Sequence, residues 1–504
     1  MSEVLHLENK RELFVDHYFA NDFNGTALKL HHPTPTNVAI KYDQPWETDD
    51  QGSGSFYTTV FQDGDIFRMY YRGHSTNVCY AESEDGINWN KPDLGIIEIE
   101  GSNKNNVIFK DVSNSAAFSP FIDLNPNILK SQKYKANMER VTSSINPSEK
   151  GINFYSSADG KQFKNFGKEP GIPLMVPNHF DSQNVIFWSE VEAQYVLYAR
   201  YKVGLNGKLI DPDEYFNRYR NEKLKNSSSK LTAFNATSYP SYIRSIVRST
   251  SPDFENWSEF VPMEYSDTDS ITPSAQLYTN QTTPYFRANH IYISLPGRIF
   301  FGKIKNPKIV RDTFDIRDDE DFGDCSDGVL MTTRAGSNRY DFTFRESLLR
   351  PGIGDKNWTT RNNYPACGVI QTGETEMSIF VQRYYAQTSA YLERLTLRVD
   401  GFASLNAGYD EGQMVTKTLD FTGNKLELNY STSAAGRISV EMLDELGTPI
   451  EGYGIDDCDG LIGDEISGYV SWNGSTDLSK ISGRPVRVRF VMNDADIYSL
   501  RFKS

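Results

Sequence analysis

Four stretches decide the fold: Tyr80-Ala-Glu-Ser-Glu-Asp-Gly-Ile-Asn-Trp89, Phe154-Tyr-Ser-Ser-Ala-Asp-Gly-Lys-Gln-Phe163, Val247-Arg-Ser-Thr-Ser-Pro-Asp-Phe-Glu-Asn-Trp257 and Leu330-Met-Thr-Thr-Arg-Ala-Gly-Ser-Asn-Arg-Tyr340. Each reads as an alternating strand, a turn built on Asp or Gly, and an aromatic that opens the next strand. Asp-Gly suits a tight reversal because glycine takes positive φ at no steric cost and Asp tolerates it. A weaker copy is Leu397-Arg-Val-Asp-Gly-Phe402. The copies recur every 70 to 95 residues or so, a period that fits a four-stranded propeller blade with insertions.

The other half of the unit repeats in the same order. Val60 to Arg72 reads strand, Asp-Gly turn, strand. Val185–Trp188 with Tyr195–Arg200, Leu277–Asn280 with His290–Ser294, and Cys367–Gln371 with Met377–Tyr385 repeat the pattern. Both halves recurring together favour a propeller over a sandwich with chance Asp-Gly turns. From Thr416 the chain alternates in short segments, Leu426–Tyr430, Arg437–Met442, Val486–Val491 and Ile497–Phe502, the pattern of a sandwich. The expectation is therefore an all-β chain: a leading segment at 1–45, a five-bladed β-propeller at 46–405 and a β-sandwich at 406–504. Glu12-Leu-Phe-Val-Asp16 is expected to close the last blade or to pack on the sandwich. The insertion between Tyr201 and Tyr242, with a short helical pattern at Asp211–Arg220, reads as a loop over a channel mouth or as disorder.

At 504 residues the chain exceeds one ordinary core. Its net charge of −15 argues against non-specific nucleic-acid binding, which needs basic surface. Cys79, Cys325, Cys367 and Cys458 are scattered and show no zinc spacing. No metal and no cofactor are expected. No apolar run reaches the length of a membrane span, so no membrane partner is expected. The first residues lack a signal-peptide pattern. The sequence alone thus points to the cytoplasm, or to the periplasm or exterior if a signal has been removed.

In a propeller the loops at one channel mouth build the site, so polar residues near inner-strand starts are the candidates. Glu47, Asp181 and Glu346 are the expected catalytic carboxylates, with Asp327 in reserve. Paired carboxylates suit glycoside cleavage: one protonates the leaving oxygen while the other attacks the sugar or activates water. Arg72, Arg200, Arg287, Arg334 and Arg350 stand at strand ends and are expected to bind substrate, at least three of them facing one mouth. Tyr285, His290 and Tyr364 join them as binding candidates. Such arginines balance carboxylates or hold an anionic group.

Ser83-Glu-Asp-Gly-Ile-Asn-Trp89 after Met69-Tyr-Tyr-Arg72 resembles the blades of the five-bladed β-propeller glycosidases, the β-fructosidase and arabinanase superfamily. Over nearly its whole length the chain is similar to bacterial glycosyl-hydrolase-like proteins that open with Glu-Leu-Phe-Val-Asp and end in a β-sandwich. Leu277-Tyr-Thr-Asn280, Arg350-Pro-Gly352, Asn363-Tyr-Pro-Ala366 and Thr432-Ser-Ala-Ala-Gly436 carry that likeness. The resemblance implies a carbohydrate partner and polysaccharide breakdown. The chain lacks the Trp-Met-Asn-Asp-Pro-Asn, Arg-Asp-Pro and Glu-Cys motifs of the β-fructosidases, so no catalytic role transfers by motif. A glycoside phosphorylase and a non-catalytic sugar-binding propeller are the competing readings.

Overall fold

The computed structural model describes residues 4–48, 57–73, 77–110, 117–140, 151–173, 180, 182–204, 207–208, 242–301, 303, 324–359, 361–385 and 387–504. Asp181 and the insertion from 209 to 241 lie outside these residues. Among the described residues regular structure is β-strand, with short 3-10 turns such as Lys130–Gln132 and Asp355–Asn357 and no α-helix. No described helix is long and apolar enough to cross a membrane. All four cysteines are free and buried.

The chain divides into two compact units. One comprises residues 34–372 and 377–396, the other 1–33, 373–376 and 397–504. The sequence reading had cut at 45 and 405.

In the larger unit antiparallel sheets follow one another along the chain in a propeller-like succession. The first joins Thr59–Asp63, Ile66–Arg72, Val78–Ser83 and Val107–Phe109. The second joins Ser119–Ile122, Tyr134–Arg140, Gly151–Ser157 and Lys164–Phe166. The third joins Val185–Ser189, Gln194–Gly204, Tyr242–Ser251 and Val261–Pro262. Thr282–Tyr285, Ala288–Ser294 and Met331–Arg334 form the fourth, and a separate sheet of Gln276–Leu277, Gly297–Phe301 and Asp324–Gly328 is interleaved with it in sequence. In the fifth, Ile370–Gln371, Glu376–Arg383 and Tyr391–Arg398 are completed by Thr34–Lys41 from the start of the chain. The starts of three first strands meet through side chains: Gln183 Nε2 donates to Thr59 Oγ1 at 2.7 Å, and Gln281 Nε2 donates to Gln183 Oε1 at 2.7 Å.

Three of the four repeated turns share one hydrogen-bond scheme. Ser83 Oγ donates to Asp85 and accepts from the amide of Gly86, while Asp85 Oδ1 accepts from the amides of Ile87 and Asn88. Ser157, Asp159 and Gly160 repeat it, as do Ser251, Asp253 and Phe254. The third residue is left-handed each time, φ 69° at Gly86, 73° at Gly160 and 69° at Phe254. A left-handed non-glycine residue costs about 1–2 kcal/mol. Phe254 offsets this by full burial against Phe121, Phe154 and Tyr195, since a buried aromatic contributes about 3–5 kcal/mol.

A second device joins consecutive sheets. Asp63, in the first hairpin of the first sheet, accepts from the phenol of Tyr134 in the second sheet at 2.5 Å and from Arg68 at 2.6 Å. Asp123, just after the first strand of the second sheet, accepts from Tyr195 in the third at 2.7 Å and pairs with buried Lys135 at 2.9 Å. Glu192, in the first hairpin of the third sheet, accepts from Tyr292 in the fourth at 2.8 Å and pairs with Arg248. Each latch is a turn carboxylate, the phenol of the next sheet's second strand and a cation. At the next junction the phenol of Tyr285 meets Met377 Sδ at 3.7 Å instead.

In the smaller unit Arg11–Leu13 pairs with Arg487–Lys503, and Phe14 enters a core with Leu428, Val440, Phe490 and Ile497. The expected short strands prove long. Leu426–Tyr430 and Arg437–Met442 belong to one strand, Lys425–Leu443, and the other two segments to Arg487–Lys503. The register shifts between Thr432 and Arg437, a bulge. A Cβ on Gly436 would lie 2.3 Å from the Asp494 carbonyl oxygen, so only glycine lets the partner strand pass so close. The weak copy at Leu397–Phe402 serves here too. Asp400 is buried and accepts from Ser499 at 2.6 Å and from Asn429 at 3.2 Å.

Tyr195→Phe is expected to lower unfolding free energy by about 1–3 kcal/mol, because Asp123 loses a buried donor; chemical denaturation measures this. Acid should act on the same devices. Burial pushes the Asp63 and Glu192 carboxyls up, but their cation and phenol partners outweigh it and hold both below the ordinary range. Amide donors likewise outweigh burial at Asp253 and hold it at about 2. Folded-state values below the unfolded ones mean the stabilisation is complete above the unfolded carboxylate pKa. It should drain away as pH falls from about 4 towards 2, and Asp253→Asn should flatten that loss in pH-dependent melts.

Candidate functional site

The third sheet places three cations on one face. Arg200 and Lys202 are two residues apart on one strand, so they point the same way. Arg244 stands directly across from Lys202 in the neighbouring strand. All three are buried, at 3%, 2% and 7% exposure. Their heads lie over tyrosine rings: Arg200 is 5.3 Å and Arg244 5.6 Å from the centroid of Tyr278, and Lys202 Nζ is 4.5 Å and Arg244 5.5 Å from that of Tyr242. Gln276 Oε1 accepts from the Arg244 amide at 3.0 Å and from its guanidinium at 3.2 Å.

Tyr278 is also the middle of an aromatic stack. Its ring lies 5.1 Å from Tyr364 and 6.5 Å from Tyr57, nearly parallel to both. Tyr364 lies flat over Gly297, where a Cβ would come within 2.5 Å of the ring. Ser182 Oγ donates to the Tyr278 carbonyl at 2.8 Å. Arg361 completes the cluster. Tyr278 first, then Tyr385, Tyr364 and Asp324, raise its pKa against the cost of burial. The Arg361 amide donates to Asp324 Oδ1 at 3.2 Å. Burial, followed by Tyr278 and Asp324, pushes the Tyr364 phenol well above its usual range, so it stays protonated.

The backbone around this stack is strained. Tyr57 (φ 65°), Gln281 (48°), Arg361 (51°) and Asn363 (62°) are all left-handed. Asn363 is pinned by donation to Ser326 O and Asn357 O and by acceptance from Arg383 at 2.6 Å. Four such non-glycine residues at about 1–3 kcal/mol each persist only where surrounding contacts over-determine them, and such strain gathers at functional sites.

The sequence candidates separate. Arg200 and Tyr364 belong to the cluster, and Arg72 ends a second strand at the same, strand-start end of its own sheet. Tyr285, Arg287, His290 and Arg334 lie at the opposite end of the fourth sheet, where Tyr285 pairs with Ala288 across the hairpin and Ile291 with Arg334. Asn289 there reaches Glu190 in the hairpin of the third sheet. The expectation of one shared mouth fails for these four because antiparallel strands reverse: first-to-second turns and third-strand ends share the far end. Arg350 is exposed. Asp327 is held by Arg298, its direct cross-strand partner, through two bonds of 2.8 Å.

Of the three expected catalytic carboxylates, Asp181 lies outside the described residues. Glu346 is exposed, in the segment after the fourth sheet. Glu47 is fully buried and spent on the fold: it accepts from Tyr71 at 2.5 Å, Lys91 at 2.6 Å, and the amides of Asp43 and Gln44 at 3.0 and 3.1 Å. Both carboxylate oxygens are thus engaged within the chain, Oε1 by the Tyr71 phenol and Oε2 by Lys91 and the two amides. The sequence reading missed Lys202, Arg244, Arg361, Tyr57 and Tyr278. The Arg200-x-Lys202 alternation within an apolar strand was the visible signal. It also missed Asp267, whose side chain is 1% exposed, with neither oxygen hydrogen-bonded among the described residues and Arg345 Nε at 3.9 Å. Among the described residues no group of His, Cys, Asp and Glu is arranged to hold a metal ion.

No family model and no curated protein matches this chain. Solved structures similar to it include an N-acetylgalactosamine deacetylase from F. plautii in complex with blood group B trisaccharide, at 10% identity over 74% of this chain and 96% of that one, TM-score 0.44. A glycoside hydrolase family 43 arabinoxylan arabinofuranohydrolase from Bacillus subtilis aligns at 12% identity over 89% and 95%, TM-score 0.37. A family 32 β-fructofuranosidase from Bombyx mori aligns at 11% identity over 94% of each chain, TM-score 0.39.

Glu47→Gln is expected to destabilise the larger unit by about 1–3 kcal/mol, the scale of a lost buried hydrogen-bond partner. Ligand affinity measured below the melting transition should stay within about twofold, because both oxygens are taken up by donors within the chain.

Proposed function

We propose that the protein is a glycoside hydrolase that cleaves a poly- or oligosaccharide at the strand-start end of the larger unit. The observation that carries this reading is the strained Tyr57–Tyr278–Tyr364 stack with Arg200, Arg244, Arg361 and Asp324 around it. Aromatic rings with guanidinium groups and a carboxylate are what a sugar needs: a flat apolar face for its C–H surface, and donors for its hydroxyls. Glycosidic cleavage needs two carboxyl groups flanking the bond, one giving a proton to the leaving oxygen and the other attacking or activating water. Asp324 is one. Asp181, the carboxylate expected from the sequence and outside the described residues, is the proposed other. The protonated Tyr364 phenol is a donor for the sugar ring. Five blades around one channel are the architecture this reading adopts.

The experiment is a screen of plant and bacterial polysaccharides for released reducing ends, followed by Asp324→Asn and Asp181→Asn. Each variant should keep its fold and lose about 10²–10⁴-fold in kcat on the substrate found, the scale of a general acid or base. Turnover that rises with added phosphate would instead favour phosphorolysis, and normal turnover in both variants would move the chemistry elsewhere.

A further inference from the structure

We infer that Asn363, held by Arg383, is the positioning residue that sets the Tyr364 ring against the Asp324 carboxylate. The inference rests on the glycosidase reading for what those two groups do, and on the chain's own hydrogen bonds for how they are held. Asn363 is fully buried and left-handed, φ 62°. Its side chain has three partners. Oδ1 accepts from Arg383 Nη1 at 2.6 Å, and Nδ2 donates to the carbonyls of Ser326 at 3.1 Å and Asn357 at 2.9 Å. Chemistry fixes which way the amide faces. A guanidinium only donates and a backbone carbonyl only accepts, so the oxygen meets Arg383 and the nitrogen meets the carbonyls. Asparagine satisfies two demands here: it tolerates positive φ, and it offers an acceptor with two donors. Glycine would satisfy only the first.

These bonds run to both halves of the site. Ser326 lies two residues beyond Asp324 on the strand Asp324–Gly328. Two more bonds join the same segments: the Arg361 amide donates to Asp324 Oδ1 at 3.2 Å, and Ser326 Oγ donates to the Asn362 carbonyl at 2.5 Å. On the other side the Asn363 amide donates to the Gln382 carbonyl at 3.0 Å, and the Gln382 amide to that of Tyr364 at 3.1 Å. Arg383 ends the strand Glu376–Arg383 of the fifth sheet, and Glu393 holds its Nε at 2.8 Å. The same Nη1 reaches the carbonyls of Arg350 and Pro351 at 3.5 and 3.4 Å, so the start of the segment that leads to Tyr364 gathers on one guanidinium. A left-handed residue directly before Tyr364 sets the direction in which the ring leaves the chain, flat over Gly297 and 5.1 Å from Tyr278. Asn363 thus links the strand that carries Asp324 to the backbone that aims the ring. A misplacement of about 1 Å between a catalytic group and its substrate costs about 10²-fold in rate.

The test uses the full chain labelled with 3-fluorotyrosine. The Tyr364 signal is the fluorine resonance missing from Tyr364→Phe. Asn363→Gly leaves the backbone free to be left-handed and removes the three side-chain bonds. In that variant the Tyr364 resonance should shift or broaden by more than its linewidth, while the tyrosines of the smaller unit keep theirs. On the polysaccharide found by the screen, kcat per folded molecule, counted from the same fluorine spectrum, should fall about 10²-fold. KM should stay within about threefold, because Tyr57, Tyr278 and the guanidinium groups still hold the sugar and only its alignment with Asp324 is lost. Arg383→Lys keeps the charge but not the fork. It should move the same resonance and lower kcat about tenfold, and it carries both readouts should Asn363→Gly fail to fold. An unmoved Tyr364 resonance in the folded variants overturns the inference, as does a kcat per folded molecule within twofold of the wild type. The two readings fail separately: a displaced resonance in a chain whose wild type cleaves no polysaccharide sinks the hydrolase alone, and normal cleavage with an unmoved ring sinks the positioning role alone.

Discussion

The carboxylate–phenol–cation latch between consecutive sheets is the constraint on which the larger unit depends. A sheet of three or four short strands buries too little to stand alone. Each must be tied to its neighbour, and hydrophobic faces give adhesion without fixing register. The latch fixes it: Asp63, Asp123 and Glu192 each reach into the second strand of the following sheet for one phenol, Tyr134, Tyr195 and Tyr292. Breaking a member leaves a buried carboxylate short of a donor, which costs more than the bond itself contributes. This explains why an acidic chain keeps Lys135 and Arg248 inside.

Because the latches hold the hairpin ends of the sheets, the strand-start end is free to carry strain. There the glutamine contacts among Thr59, Gln183 and Gln281 bring sheets together through side chains. Tyr57, Arg361 and Asn363 adopt left-handed backbone around the aromatic stack. The strained end is where the cations and Asp324 gather. Latches and strain are thereby separated along the strands: three hairpin ends fasten their sheets to the next, and the left-handed residues gather at the other end.

The turn repeats were legible in the sequence, since Ser-x-Asp followed by a residue able to take positive φ specifies a local hydrogen-bond scheme. Ser83, Ser157 and Ser251 need nothing beyond their own next five residues to form it. The strands on either side were equally legible from alternation. What local pattern left open was which end of a sheet each polar residue occupies. Arg200 and Arg334 both stand late in strands, yet one lies in a second strand and the other ends a third, and antiparallel reversal sends them to opposite ends. Glu47 shows a related limit. A carboxylate before a strand looks the same whether it faces a cavity or the amides of Asp43 and Gln44.

The sequence by itself determined the all-β class, the repeated hairpin units and the turn chemistry, because these depend on φ preferences and on two-residue alternation. Only the tertiary structure decided that Thr34–Lys41 completes the fifth sheet, that the segments after Thr416 fuse into two long strands, and that Lys202, Arg244, Tyr278, Tyr364 and Arg361 share one place. Those are meetings of residues tens to hundreds of positions apart. Pairing across such distances is set by which sheets pack and in what register, a property of the whole folded chain that no local window of sequence contains.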